Sequence, residues 1–178
     1  ISYTGGRDNP EMYVDTLGLT CPFLALYAQV YHDSRCEKLA IGQLRMYHTY
    51  GLMADTALPN HAFNIKSKLP GRGTAWYLIG LLDTYHQLQM PEYQAEVLHW
   101  ISEAAQSYAV YQHADGGFGS ILQCESSYDS SATAALAWFY AECASLLKIS
   151  TYKDISHRCL SALLKKTRIT GAIDDCQG

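Results

Sequence analysis

The sequence has little charge and no excess of positive charge. Only 17% of its 178 residues are charged, and 13 Lys and Arg residues stand against 17 Asp and Glu residues, for a formal net charge of -4. Proteins that bind nucleic acid through its phosphates usually carry a basic surplus. The composition therefore does not favour nucleic acid as a partner.

Long apolar runs are absent as well, although 48% of the residues are hydrophobic. A membrane-spanning helix needs about 20 consecutive apolar residues, and the longest uncharged stretches here are interrupted by Tyr, Thr, Gly or Ser. The start, Ile1-Ser2-Tyr3, has no signal-peptide pattern. We therefore predict a globular domain without a membrane span. The missing initial Met and the end at Gly178 indicate part of a longer chain.

Motifs for metal binding are also missing. No Cys-x-x-Cys and no His-x-x-x-His occurs among the six cysteines and seven histidines, so we expect neither a metal nor another cofactor. Free cysteine is a common small core residue, and four cysteines fall among apolar neighbours in predicted helices: Cys21, Cys36, Cys143 and Cys159. Free thiols are typical of a reducing compartment, so we expect a cytoplasmic protein.

What the sequence does contain is a repeat of helical hairpins. Three apolar runs start at Asp15, Arg72 and Asp129, and successive starts lie 57 residues apart. Apolar side chains in each run recur every three or four residues, as in an amphipathic helix. A more polar predicted helix follows each run after a short turn. One hairpin with its connections accounts for a spacing of this size.

The pattern predicts an all-α protein with a single domain over residues 1–178. The apolar helices are expected at 15–31, 72–88 and 129–147, and their polar partners at 35–52, 91–112 and 152–167. The segments 51–71 and 113–128 are longer than a turn requires, which indicates functional loops. We expect the polar starts of the three apolar helices to converge with these loops on one rim.

Four motifs follow one another along the chain. They are Val14-Asp15 with Pro22-Phe23-Leu24-Ala25, then Asn60-His61-Ala62-Phe63-Asn64, then Gly71-Arg72-Gly73-Thr74-Ala75-Trp76, and finally Asp129-Ser130-Ser131-Ala132-Thr133-Ala134. In this order they resemble motifs of the unsaturated uronyl hydrolases, glycoside hydrolase families 105 and 88. The second is similar to the family's His-Ala-Trp-Asp loop, and the third to its Gly-Arg-Gly-Asn-Gly-Trp helix start. The fourth is similar to its Glu-Thr-Ser-Gly-Thr-Ala.

The resemblance implies an (α/α)6 barrel of six hairpins, of which this chain supplies about three. A half barrel exposes an apolar face that further chain or an oligomer would cover. The resemblance also implies an activity: release of 4,5-unsaturated uronic acid from the non-reducing end of lyase-generated oligosaccharides, with unsaturated rhamnogalacturonan as the favoured substrate. A carboxyl group donates a proton to C4, water adds at C5, and the resulting hemiketal opens. The expected partner is such an unsaturated oligosaccharide.

The resemblance assigns the catalytic roles to two residues. Asp15 matches the catalytic aspartate, and His61 would polarise the substrate or hold the water. The residues alone allow simpler roles, because Asp is a favoured N-cap and a histidine beside Pro59 is often a solvated loop residue.

Four further residues are expected to bind substrate. The guanidinium of Arg72 would pair with a carboxylate or hydroxyl, and Trp76 would stack on a sugar ring, with core packing as its alternative. Thr74 replaces the family's Asn or Gln, and Asn64 replaces its Asp. The glycines of Asp115-Gly116-Gly117-Phe118-Gly119 favour a structural turn over a ligand contact, and we expect three residues to cap and line the third apolar helix: Ser130, Ser131 and Thr133.

Two other functions stay open at this point. A sugar epimerase or isomerase on a similar barrel would depend on histidine pairs, which the sequence does not supply. A helical-repeat carbohydrate-binding module without catalytic activity is compatible with the hairpin repeat alone. The motifs do not identify the sugar beside the unsaturated uronate.

Overall fold

The computed structural model describes residues 12–54, 56–63, 72–123 and 128–176. Within these ranges the chain forms six helices and one short antiparallel ribbon. The elements are β1 (Met12–Tyr13), α1 (Asp15–Tyr31), α2 (Ser34–Tyr50), β2 (Ala62–Phe63), α3 (Arg72–Gln87), α4 (Pro91–Ala109), α5 (Ser130–Leu147) and α6 (Ser150–Lys166).

The helices confirm the predicted all-α class. α1 has the predicted bounds, and the ends of the other five differ from the prediction by at most three residues. The ribbon was not predicted. Its strands have two residues each, and Met12 pairs with Phe63 while Tyr13 pairs with Ala62. Strands this short leave no periodic pattern in the sequence, so only the folded chain identifies them.

Backbone contacts divide the chain into two compact units, residues 1–103 and 104–178, with the boundary inside α4. In the first unit α1 packs against both α2 and α3. Glycines permit the close approach of α1 to α3. A methyl group on Gly18 would lie 2.7 Å from Trp76 Cε3 and 2.9 Å from the Trp76 carbonyl oxygen, and one on Gly80 would lie 3.0 Å from the carbonyl carbon of Leu17.

The second unit is built on the packing of α5 against α6. Its core includes Leu136, Phe139 and Cys143 from α5 and Ile155 and Cys159 from α6, all of them buried. The hydroxyl of Tyr140 donates to the Ala105 carbonyl at 2.9 Å. None of the helices in the described ranges has the length and hydropathy that a membrane crossing requires.

The cysteines differ sharply in their expected reactivity. The described ranges contain five free thiols: Cys21, Cys36, Cys143, Cys159 and Cys176. Burial raises the pKa of Cys21 and of Cys143 to about 12, and that of Cys159 to about 11. Alkylation requires the thiolate, and Cys176 is exposed.

We therefore expect iodoacetamide to label Cys176 in the native protein at pH 8. The three buried thiols should react about 10³-fold more slowly than in the unfolded chain, since both access and thiolate fraction are reduced. Peptide mapping by mass spectrometry after timed labelling measures this difference, with labelling in urea as the control. Equal native rates at Cys143 and Cys176 would contradict the packing of α5 against α6.

Candidate active site

The short ribbon places the start of α1 beside His61. Besides the two strand pairs, the Val14 amide donates to the His61 carbonyl oxygen at 3.1 Å. The imidazole of His61 meets the ring of Tyr13 edge-on, with 5.7 Å between the ring centroids. Because Val14 directly precedes Asp15, the two residues predicted to be catalytic lie on adjoining segments of the first unit.

Asp15 is not the N-cap of α1, so this alternative interpretation is wrong. The N-cap is Val14, which makes no side-chain capping bond, and Asp15 is the first acidic residue of the helix itself. Asp15 is half-buried, and its Oδ1 is a buried oxygen without a hydrogen-bond partner among the described residues. A buried polar oxygen in a native protein is nearly always satisfied. Among the described residues, no group thus accounts for this carboxylate oxygen.

The first turn of α3 packs against both Val14 and His61. A methyl group on Gly73 would lie 2.7 Å from Val14 Cγ1 and 3.7 Å from His61 Nδ1, so only a residue without a side chain fits between these segments. The neighbouring Thr74 is only 2% exposed, and its hydroxyl also has no hydrogen-bond partner among the described residues. Gly73 therefore brings the starts of α1 and α3 together. Each of these starts has one buried oxygen, on Asp15 and Thr74, without a partner in the described part of the chain.

Trp76 makes the core contact that was the alternative to its predicted role, and its stacking on a sugar ring stays a prediction. It is half-buried, and its ring and backbone cover Gly18 of α1 at contact distance. Part of the indole is therefore core packing, and the remainder is accessible. Arg72 begins α3 as predicted, but its side chain is outside the described structure. Asn64 lies outside the described residues, so its predicted substrate contact stays a prediction.

Two tyrosines belong to the site although the sequence analysis did not single them out. The ring of Tyr13 contacts the imidazole of His61. Tyr47 of α2 donates its hydroxyl hydrogen to the carbonyl oxygen of Asn60, the residue before His61. Fourteen tyrosines occur in the chain, and those in apolar stripes look alike in sequence. The only available signal was the position of Tyr13 two residues before Asp15.

Asp129 has a structural role, which corrects the expected capping of the third apolar helix. Its side chain is the N-cap of α5 and accepts from the backbone amides of Ser131 and Ala132. Ser130 instead donates its hydroxyl hydrogen to the Asp174 carbonyl at 2.6 Å. Thr133 Oγ1 accepts from the Phe118 amide at 2.9 Å. Asp129 lies in the second unit, so the convergence of the three helix starts on one rim stays a prediction.

The glycine-rich segment forms the expected turn. Asp115 Oδ1 accepts from the Gly117 amide at 2.9 Å. Gly116 has a φ of 95°, and a methyl group there would lie 2.6 Å from the Arg158 carbonyl oxygen. Only glycine adopts this φ without strain and fits this contact. The segment therefore has a structural explanation that needs no ligand.

No group of three His, Cys, Asp or Glu side chains that could hold a metal ion is found in the part of the chain that the structure describes.

A search of curated proteins found no match. Solved structures do match. A possible member of family GH105 from Salmonella enterica serovar Paratyphi A is 19% identical, with a TM-score of 0.85 over 94% of this chain and 47% of that chain.

Two further solved structures show the same fold with different described activities. The unsaturated glucuronyl hydrolase of Bacillus sp. GL1, described as responsible for glycosaminoglycan degradation, is 20% identical, with a TM-score of 0.74 over 97% of this chain and 51% of that one. A protein described as a polysaccharide lyase is 15% identical, with a TM-score of 0.84 over 93% of this chain and 52% of that one. The chain thus spans about half the length of the solved structures it matches.

The comparison with protein families covers nearly the whole sequence. The profile of Glycosyl Hydrolase Family 88 matches residues 6–175. The matched region includes both units, and its helices follow the fold of solved relatives from families 88 and 105. The chain therefore belongs to glycosyl hydrolase family 88.

Proposed function

We propose that the protein carrying this chain is a glycoside hydrolase that removes a 4,5-unsaturated uronic acid from the non-reducing end of oligosaccharides. Unsaturated rhamnogalacturonan fragments are the favoured substrate. The observation that carries the proposal is the buried Oδ1 of Asp15, which no group in the described ranges hydrogen-bonds, at a helix start whose Val14 amide donates to the His61 carbonyl. Family membership supplies the class of reaction.

Asp15 is the proposed general acid and base. Hydration of the vinyl ether needs a proton delivered to C4 and a water directed at C5, and one carboxyl group on one face of the ring performs both steps in turn. A group that serves this way must reach the reacting atom within hydrogen-bond distance. The unpartnered oxygen of Asp15 meets one requirement of this role, because no described protein group competes for it.

His61 and the first turn of α3 surround this carboxyl group in the proposed complex. The backbone bond from Val14 fixes the His61 segment, and its imidazole would hold the attacking water or polarise the substrate. The Thr74 hydroxyl has no hydrogen-bond partner among the described residues, and its contact with substrate is part of the proposal. The accessible part of Trp76 offers a surface for a sugar ring, and Arg72 and Asn64 keep their proposed substrate contacts.

A polysaccharide lyase is the second candidate, because a protein with this fold carries that description. The two reactions change the same chromophore in opposite directions. A hydrolase of this type destroys the conjugated uronate when the ring opens, whereas a lyase creates it by cleaving an intact chain. The sign of the change in ultraviolet absorbance therefore distinguishes the two.

We expect the full-length protein to lower the ultraviolet absorbance of lyase-generated pectin disaccharides and not to raise that of intact pectic polysaccharide. Glucuronate-bearing arabinogalactan fragments and unsaturated glycosaminoglycan disaccharides complete the panel. Faster loss with one of these would retain the hydrolase and replace the rhamnogalacturonan assignment. A rise with intact polysaccharide would establish the lyase. No change with any substrate, in a folded protein that still binds them, would favour the carbohydrate-binding module.

A further inference from the structure

Tyr47 links the body of α2 to the segment that carries His61. Its side chain is 1% exposed, and its hydroxyl donates to the Asn60 carbonyl oxygen. The ring is held from two sides. A methyl group on Gly51 would lie 2.6 Å from Tyr47 Cδ1, and the ring of Tyr77 lies 6.1 Å away between centroids.

The segment between Gly51 and His61 is closed by its own hydrogen bonds. The backbone and side-chain amides of Asn60 both donate to the Gly51 carbonyl oxygen, at 2.9 and 3.0 Å. Leu52 forms a bridge with Pro59, and the Met53 amide donates to Leu58 at 2.8 Å. These bonds hold the two ends of the segment together, and the hydrogen bond from the Tyr47 hydroxyl ties its C-terminal end to α2.

The C-terminal end of this segment, Asn60–His61, is linked by hydrogen bonds to Tyr47 and to the start of α1. The carbonyl oxygen held by Tyr47 belongs to the peptide that leads into His61. The next carbonyl oxygen, that of His61, accepts from the Val14 amide at the start of α1. Burial raises the pKa of Tyr47, and the negative charge of Asp15 raises it further. The phenol thus stays a neutral donor within electrostatic range of the carboxylate.

We propose that Tyr47 is a positioning residue for the catalytic pair. Its hydroxyl fixes the peptide before His61 and, through the His61 carbonyl, the backbone that presents Asp15. The inference rests on the proposed function, because positioning matters for turnover only if Asp15 and His61 act on substrate. The phenol itself takes no part in bond making or breaking.

The test is Tyr47→Phe, which removes one oxygen and keeps the packed ring. We expect kcat to fall about tenfold with KM nearly unchanged, since misplacement of a catalytic group by a fraction of an ångström costs rate more than binding. The Val14 amide should exchange its hydrogen at least about tenfold faster, because the acceptor segment is released. Exchange is measurable by mass spectrometry on a peptide that covers residues 12–17.

Tyr77→Phe is the matched control. Tyr77 is also 1% exposed, and its hydroxyl is bonded to His48 Nδ1 at 3.2 Å, apart from the 51–61 loop. Because phenylalanine keeps the ring that packs on Tyr47, this variant should leave kcat within about twofold and the Val14 exchange unchanged. Equal losses in the two variants would make Tyr47 a general stability residue and overturn the inference.

The readouts separate this inference from the proposed function. Turnover by the natural protein with an unaltered kcat in Tyr47→Phe overturns the positioning role alone. Absence of turnover in the natural protein on every substrate overturns the proposed function, and with it any role of Tyr47 in catalysis. In that case, hydrogen exchange of the Val14 amide still tests whether Tyr47 fixes the segment that carries His61. Unchanged exchange in Tyr47→Phe would reject this structural role as well.

Discussion

Replacing Asp15 with Asn should lower kcat on the unsaturated disaccharide about 10²–10⁴-fold, the range for loss of a positioned acid or base. Asn keeps the size and polarity of Asp but neither delivers nor accepts the proton. Asp15 Oδ1 has no hydrogen-bond partner to lose among the described residues, so the free energy of unfolding should change little. Initial rates by absorbance and urea unfolding by circular dichroism measure the two quantities.

Asp33→Asn is the matched control for this substitution. Asp33 is the N-cap of α2 and accepts from the Arg35 amide at 3.0 Å. Asn caps a helix about as well as Asp, so kcat should remain within about twofold of the natural value. A residual rate in Asp15→Asn above one tenth of the natural rate would contradict the role of Asp15. A comparable loss in Asp33→Asn would show that the assay reports stability instead.

The helices could be predicted from the sequence because their cores are periodic. Buried residues of α1 such as Leu17, Cys21, Ala25 and Ala28 are the residues that the three-and-four spacing selects. Such a stripe is set by local geometry and by one apolar face, and both are visible in a single sequence. Short turns between paired helices then fixed most of the boundaries.

The surroundings of the site depend on pairings between distant segments. The contact between Val14 and His61, and that between Gly73 and both of them, join parts of the chain that no local rule connects. Tyr47 could not be distinguished from other tyrosines for the same reason. The sequence motifs located Asp15 and His61, but their supporting residues became evident only when the loop 51–61 was seen closed.

Asp15 and Asp129 show why a repeat does not guarantee a shared role. Both stand at the start of an apolar helix, two repeat lengths apart. Asp129 lies just before its helix, where its side chain accepts from the Ser131 and Ala132 amides. Asp15 lies one position inside its helix and caps nothing. A shift of one residue thus separates a carboxylate that caps its helix from one that does not, although Asp129 Oδ2, like Asp15 Oδ1, is buried without a partner among the described residues. A sequence pattern that locates helix starts only to within one or two residues does not separate the two roles.

The close approach of α1 and α3 should make Gly18 intolerant of a single added methyl group. In Gly18→Ala, the new carbon would lie 2.9 Å from the carbonyl oxygen of Trp76, a backbone atom that no rotamer change can move. Overpacking of this kind costs about 1–3 kcal/mol, although alanine regains up to about 1 kcal/mol of helix propensity. We expect a net loss of about 1–2 kcal/mol in the free energy of unfolding, measured by urea denaturation.

Gly42→Ala adds the same methyl group but should raise the free energy of unfolding, whereas Gly18→Ala should lower it. Gly42 lies within α2 on its exposed side, and an added methyl group there would meet nothing within 4 Å. Only the propensity gain remains, so stability should rise by about 0.5–1 kcal/mol. If Gly18→Ala were also stabilising, the two helices would have to lie farther apart than described, and Trp76 would not cover Gly18. A loss in both variants would instead indicate that alanine disturbs these helices for reasons unrelated to the α1–α3 contact.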